Sequence, residues 1–167
     1  EGLSEFESKL AKLGFYAVVL SPTEYQDLLD SPDQVDAIYR EKARERLASW
    51  IRLAEERLAG TDVRCFITGG NDDSPDVLEV VEREARDRVV PCEGRVVEVG
   101  HEGHTMISLG YSNPTPWDTP RELEEPELAA EIAKAVAGIR DYSRVIFNLH
   151  VPPIDSTLDT CPKLDTS

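Results

Sequence analysis

Two short stretches hold the residue types with which this chain could do chemistry. The first, "CFITGGNDD" (Cys65–Asp73), runs an apolar segment into two glycines, an asparagine and two aspartates. The second, "VIFNLHVPP" (Val145–Pro153), ends an apolar segment on His150 and follows it with Val151 and two prolines. Asparagine offers a carboxamide oxygen and histidine an imidazole nitrogen, a mixed donor pair suited to manganese, iron, zinc or nickel. Each stretch also has a plainer reading. Gly69 and Gly70 suit a tight turn, Asp72, Asp73 or Ser74 suits a helix cap, and His150 alone suits a buried structural histidine.

For the pair to act together, the fold must deliver Asn71 and His150 to one place. Both follow strand-like segments, Val63–Ile67 and Ser143–His150, and the carboxyl ends of strands are where open α/β sheets bind ligands. These two strands are expected as near neighbours in one sheet, with both side chains at the same edge. A helix over Pro75–Arg86 follows the first turn, with Ser74 as its cap. Upstream, residues 4–13 read as a helix and Phe15–Leu20 as a strand. Ser21, Pro22 and Glu24 mark a helix start.

Ser31-Pro32 opens the longest helix, 33–59, with Val35, Ile38, Tyr39, Ala43, Leu47, Trp50, Ile51, Ala54 and Leu58 at spacings of three and four. Its apolar face is expected to pack through Trp50, Ile51, Ala54 and Leu58. Gly94–Gly100 and Thr105–Gly110 read as a hairpin around His101 and His104. A proline-stiffened stretch, "YSNPTPWDTPRE", then carries Tyr111, Asn113, Trp117 and Arg121 toward a helix over Pro126–Ala137. Tyr111, Asn113 and Trp117 either line a substrate pocket or pack over the sheet. Arg121 either approaches a substrate phosphate or pairs with Glu122, Glu124 or Glu125. Asp155 and Asp159 read as turn residues or as part of a metal loop.

Composition narrows the classes. The chain has 33 acidic against 18 basic residues, and the net charge of −15 repels polyanions, so unaided nucleic-acid binding is disfavoured. No membrane span and no signal-peptide pattern stands out, which makes a cytoplasmic protein the expectation. Cys65, Cys92 and Cys161 form no C-x-x-C pair, which favours reduced thiols.

With these residues in place, the chain resembles the calcineurin-like metallophosphoesterases. Their block of G-N-H followed by an acidic residue is similar to "GGNDD", and their strand-terminal histidine followed by proline is similar to "FNLHVPP". "LGYSNPTPWDTPRELEEPEL" resembles the corresponding segment of an uncharacterised bacterial and archaeal branch that carries the same "GGNDD" block. The similarity runs in order from about Leu47 to Asp165. It implies an α/β fold that forms a portion of a four-layer αββα sandwich over residues 61–167, with a mainly helical N-terminal insertion over 1–60.

The resemblance also implies hydrolysis of a small phosphomonoester or phosphodiester substrate at a dinuclear centre of manganese, iron, zinc or nickel. Asn71 and His150 would be ligands of one metal, and Asp72, the catalytic candidate where many relatives have histidine, would either donate a proton or orient a water or a histidine from elsewhere. Arg121, Asn113 and Trp117 would be substrate-binding. The family's D-x-H and G-D blocks would precede residue 1 and its G-H-x-H block would follow residue 167, so the chain reads as the middle of a longer protein. Metal binding and turnover by this segment alone are expected to be weak or absent. The alternative is a noncatalytic binding or scaffold module that keeps the fold.

Overall fold

The computed structural model describes residues 2–100 and 102–159, so His101 and Cys161 lie outside the described residues. It is mixed α/β and divides into two compact units, one up to Trp50 and one from Ile51 onward.

The first unit is helical. It contains α1 (Gly2–Lys12), α2 (Pro22–Leu29) and most of α3 (Pro32–Leu58). The Ser21 start forms as read: the Glu24 carboxylate accepts from the Ser21 N–H at 2.7 Å, and the Ser21 hydroxyl accepts from the Glu24 N–H at 3.3 Å. Tyr16 meets Tyr39 edge-to-face at 5.4 Å, and Arg46 lies over Tyr16 and donates to the Ala11 carbonyl at 3.0 Å. The strand expected over Phe15–Leu20 is absent. A strand needs a neighbour to take its N–H and C=O groups, and no described strand pairs there, so Phe15 and Val19 remain exposed.

The second unit begins inside α3 and continues with β1 (Cys65–Ile67), α4 (Pro75–Glu84), β2 (Val89–Pro91), β3 (Val96–Val99), β4 (His104–Leu109), α5 (Glu125–Val136) and β5 (Val145–Leu149). Helix α4 links β1 to a parallel β2, and α5 links β4 to a parallel β5. Parallel pairing requires such a crossover, and the helices supply it. Strands β3 and β4 form the expected antiparallel hairpin.

The expectation that β1 and β5 share a sheet is corrected. The order is β1-β2 in one sheet and β3-β4-β5 in the other. The two sheets meet through a parallel bridge between Glu93 and Ser108, with the Gly94 N–H donating to the Ser108 carbonyl at 2.8 Å. The core of this unit is built from Val77, Val80 and Val81 of α4, spaced for one helical face, together with Val89, Cys92, Met106, Ile107, Leu109 and Leu128.

Helix α3 carries a second correction. Ile51 is fully buried, but Trp50 is 60% exposed. Consecutive helical residues point about 100° apart, so a narrow buried arc can take Ile51 and leave Trp50 in solvent. Ala54 and Leu58, one and two turns on, are half-buried.

Candidate metal centre

The centre is built where the chain leaving β1 comes up against the chain leaving β4. Gly69 and Gly110 approach so closely that a Cβ on Gly110 would overlap the Gly69 carbonyl group and lie 2.9 Å from the Arg121 guanidinium. Only glycine leaves room for that approach. His150 then follows β5, and its N–H donates to the Leu109 carbonyl at 2.9 Å, which sets the ring beside the Gly70 turn. A Cβ on Gly70 would sit 2.9 Å from His150 Cε1 and 3.1 Å from Nε2, so the ring rests against bare backbone.

Here the two residues singled out by type meet. His150 Nε2 lies 2.8 Å from Asn71 Oδ1, across 79 residues of sequence. Although their strands belong to different sheets, the side chains share one edge. Two atoms bound cis to one ion at about 2.1 Å lie about 3 Å apart, so this spacing fits donors to a common ion. No group of three His, Cys, Asp or Glu residues able to hold a metal occurs among the described residues.

The turn is held by its own carboxylate. Asp73 accepts from the Gly70 N–H at 2.7 Å, which closes the loop around Asn71. Ser74 stands at the helix N-cap without a side-chain bond to the helix backbone, and its hydroxyl donates to Asp76 at 2.5 Å. Asp72 is exposed next to Asn71.

The loop from Tyr111 to Leu123 supplies the outer support. It folds back through a bridge between Ser112 and Glu122, with the Leu123 N–H donating to the Ser112 carbonyl at 2.8 Å. That return brings the Arg121 N–H within 3.0 Å of the Asn71 carbonyl and Thr119 Oγ1 within 2.8 Å of Asn71 Nδ2.

Arg121 pairs with a carboxylate, but not with one of the three expected. Its side chain is 4% exposed and ion-paired with Glu93 rather than with Glu122, Glu124 or Glu125. The guanidinium also donates to the Gly70 carbonyl at 3.3 Å and stacks over Tyr111 at 4.8 Å. Glu93 in turn accepts from the Gly110 N–H at 3.2 Å and from the Thr68 hydroxyl. The guanidinium fork is thus directed inward, tying the ends of β1 and β4 to the loop, where a substrate phosphate would have to displace Glu93 to reach it.

The remaining substrate-binding expectations separate. Asn113 is exposed and lines an open groove of about 860 Å³ with Leu128, Ile132, Leu149 and Val151. Trp117 is 78% exposed and Tyr111 lies under Arg121. Asp159 accepts from the Asp155 N–H at 2.8 Å and closes the turn after the two prolines. Glu93 and Thr119 support the centre without having stood out in the sequence, and Glu122, expected as a partner of Arg121, instead holds Thr119.

No protein-family model matches the chain, and no curated protein or solved structure matches it. No helix among the described residues is long and apolar enough to cross a membrane.

Proposed function

We propose that this chain is part of a metal-dependent phosphoesterase of the calcineurin-like kind, hydrolysing a small phosphomonoester or phosphodiester. The observation that carries the reading is the convergence of Asn71 Oδ1 and His150 Nε2 at 2.8 Å on the joined strand ends. Under this reading residues 61–167 are a portion of the four-layer αββα sandwich and residues 1–60 a mainly helical insertion. Asn71 and His150 would hold one of two divalent ions, manganese, iron, zinc or nickel, and the other ligands would come from blocks outside residues 1–167.

Bound divalent ions supply a water of lowered pKa and neutralise charge on the phosphoryl oxygens. The residues of this chain orient and protonate. Asp73 and the Arg121 N–H fix the turn so that the Asn71 carboxamide stays beside the imidazole. Asp72, exposed on the same turn, would act at the leaving oxygen, either by giving it a proton taken up from solvent or by orienting a water that does so, a contribution typically worth about a hundredfold to ten-thousandfold.

The test is manganese titration and hydrolysis of a chromogenic phosphodiester by the complete reading frame. Asn71→Ala and His150→Ala should each lose metal binding and turnover, and Asp72→Asn should lose turnover while keeping metal. Normal metal binding in both ligand variants would refute the assignment. A noncatalytic reading, with the Asn71–His150 bond as a clasp between two strand ends, is favoured by the 2.8 Å contact itself, which partners the two side chains without an ion. It predicts no metal binding by the complete protein.

A further inference from the structure

An asparagine is useful to a cation only if its oxygen, not its NH2 group, faces the site. Nothing in the Asn71–His150 contact alone enforces that, because a neutral imidazole can donate to the oxygen or accept from the nitrogen. The selection comes from the other side. Asn71 Nδ2 lies 2.8 Å from Thr119 Oγ1, and that hydroxyl lies 2.6 Å from Glu122 Oε1.

Glu122 accepts further bonds from the Thr115 hydroxyl, from the Thr115 N–H at 2.8 Å and from the Thr119 N–H at 3.0 Å. The hydroxyls of Thr115 and Thr119, with these two N–H groups, hold its carboxyl down to about 2, so it is ionised at neutral pH and can only accept. Thr119 has one hydroxyl proton and Glu122 takes it. The lone pairs of Thr119 are left for Asn71, whose NH2 group must turn toward them. The carboxamide oxygen is then forced toward His150.

We propose that Thr119, held by Glu122, is a positioning residue that locks the Asn71 carboxamide with its oxygen toward His150 and so makes the pair a cation-binding face. The use of that face for a cation rests on the phosphoesterase reading, but the locking does not. It fixes a proton as well: with Asn71 Oδ1 as acceptor, the metal-free neutral ring carries its hydrogen on Nε2.

The experiment is long-range 1H–15N NMR of the labelled protein in alkaline metal-free buffer, paired with zinc titration of the complete reading frame. The wild type should show the Nε2–H tautomer of His150 and a nuclear Overhauser contact between the Asn71 NH2 and Thr119. Thr119→Val keeps the shape and removes the acceptor, so the carboxamide should turn over, present its NH2 to His150 and switch the ring to the Nδ1–H tautomer. Thr119→Ser should restore the wild-type pattern. Zinc affinity should fall about 10- to 100-fold in Thr119→Val and be restored in Thr119→Ser.

A wild-type ring in the Nδ1–H form overturns the proposal even if Thr119→Val fails to fold. So does a tautomer unmoved by Thr119→Val. A tautomer switch with zinc affinity unchanged would uphold the lock and instead refute Asn71 as a ligand.

Discussion

Glu55, near the end of α3, accepts hydrogen bonds from four consecutive backbone N–H groups: Arg86 at 2.7 Å, Asp87 at 3.2 Å, Arg88 at 2.9 Å and Val89 at 3.0 Å. This carboxylate fixes the entry into β2, the strand that pairs with β1 and so helps to place the Asn71 turn. Desolvation pushes its carboxyl up, but the N–H groups of Val89, Arg88, Arg86 and Asp87 outweigh that and hold it at about 2.

Glu55→Ala leaves those four donors without an acceptor. Arg86 and Asp87 are exposed and water can take over theirs, whereas Val89 is buried and Arg88 half-buried. With one or two donors stranded, and some access for water at Arg88, the expected cost is about 2 kcal/mol. Glu55→Gln keeps one accepting oxygen but turns an NH2 toward other donors, for about 1 kcal/mol.

The sign with pH follows from a carboxyl whose folded pKa lies below its ordinary 4.5: the wild type's advantage over Glu55→Gln is full above pH 4.5 and is lost as pH falls toward about 2. Urea unfolding of the three proteins, followed by far-ultraviolet circular dichroism at several pH values, measures both effects. A Glu55→Ala cost within about 0.5 kcal/mol, the range of an ordinary surface change, would refute the reasoning. A gap between wild type and Glu55→Gln that stays constant down to pH 2 would show that the charge contributes nothing.

Along the same helix, Ile51→Ala should cost about 3 kcal/mol because its side chain is fully buried. Trp50→Ala should cost less than about 1 kcal/mol, since the indole is mostly in solvent, and urea midpoints separate the two. Gly70→Ala drives a Cβ into the His150 ring, which is exposed and can swing away, so the fold should survive while the Asn71–His150 bond is lost, read as a displaced His150 ring signal by NMR. Arg121→Ala should destabilise by about 3 kcal/mol, because Glu93 loses its ion-pair partner in a mostly buried setting. Unchanged stability with weakened phosphate binding would instead return Arg121 to the substrate.

What could be read from the sequence was what neighbouring residues decide. The Ser21–Glu24 start, the β3–β4 hairpin and the turn at Gly69–Asn71 each depend on a few adjacent positions, and each forms. The meeting of Asn71 with His150 could be anticipated from two strand ends and their chemistry, although not the route, since β1 and β5 lie in separate sheets joined by Glu93 and Ser108. Phe15–Leu20 shows the limit from the other side. Its residues favour extension, but strand formation depends on a partner that local propensity cannot supply.

The support of the centre was hidden for a further reason. Glu93 pairs with Arg121 across 28 residues and Asn71 with Thr119 across 48, so in sequence Glu93 is one more of 33 acidic residues, Thr119 one more loop residue, and Glu122 only a neighbour of Arg121. Their roles follow from counting protons: an ionised Glu122 consumes the only proton Thr119 has, and that choice decides which end of Asn71 faces His150. Residue type nominates Asn71 as a donor of an oxygen. The direction in which that oxygen points is set by a carboxylate 51 positions later in the chain, through one intervening hydroxyl.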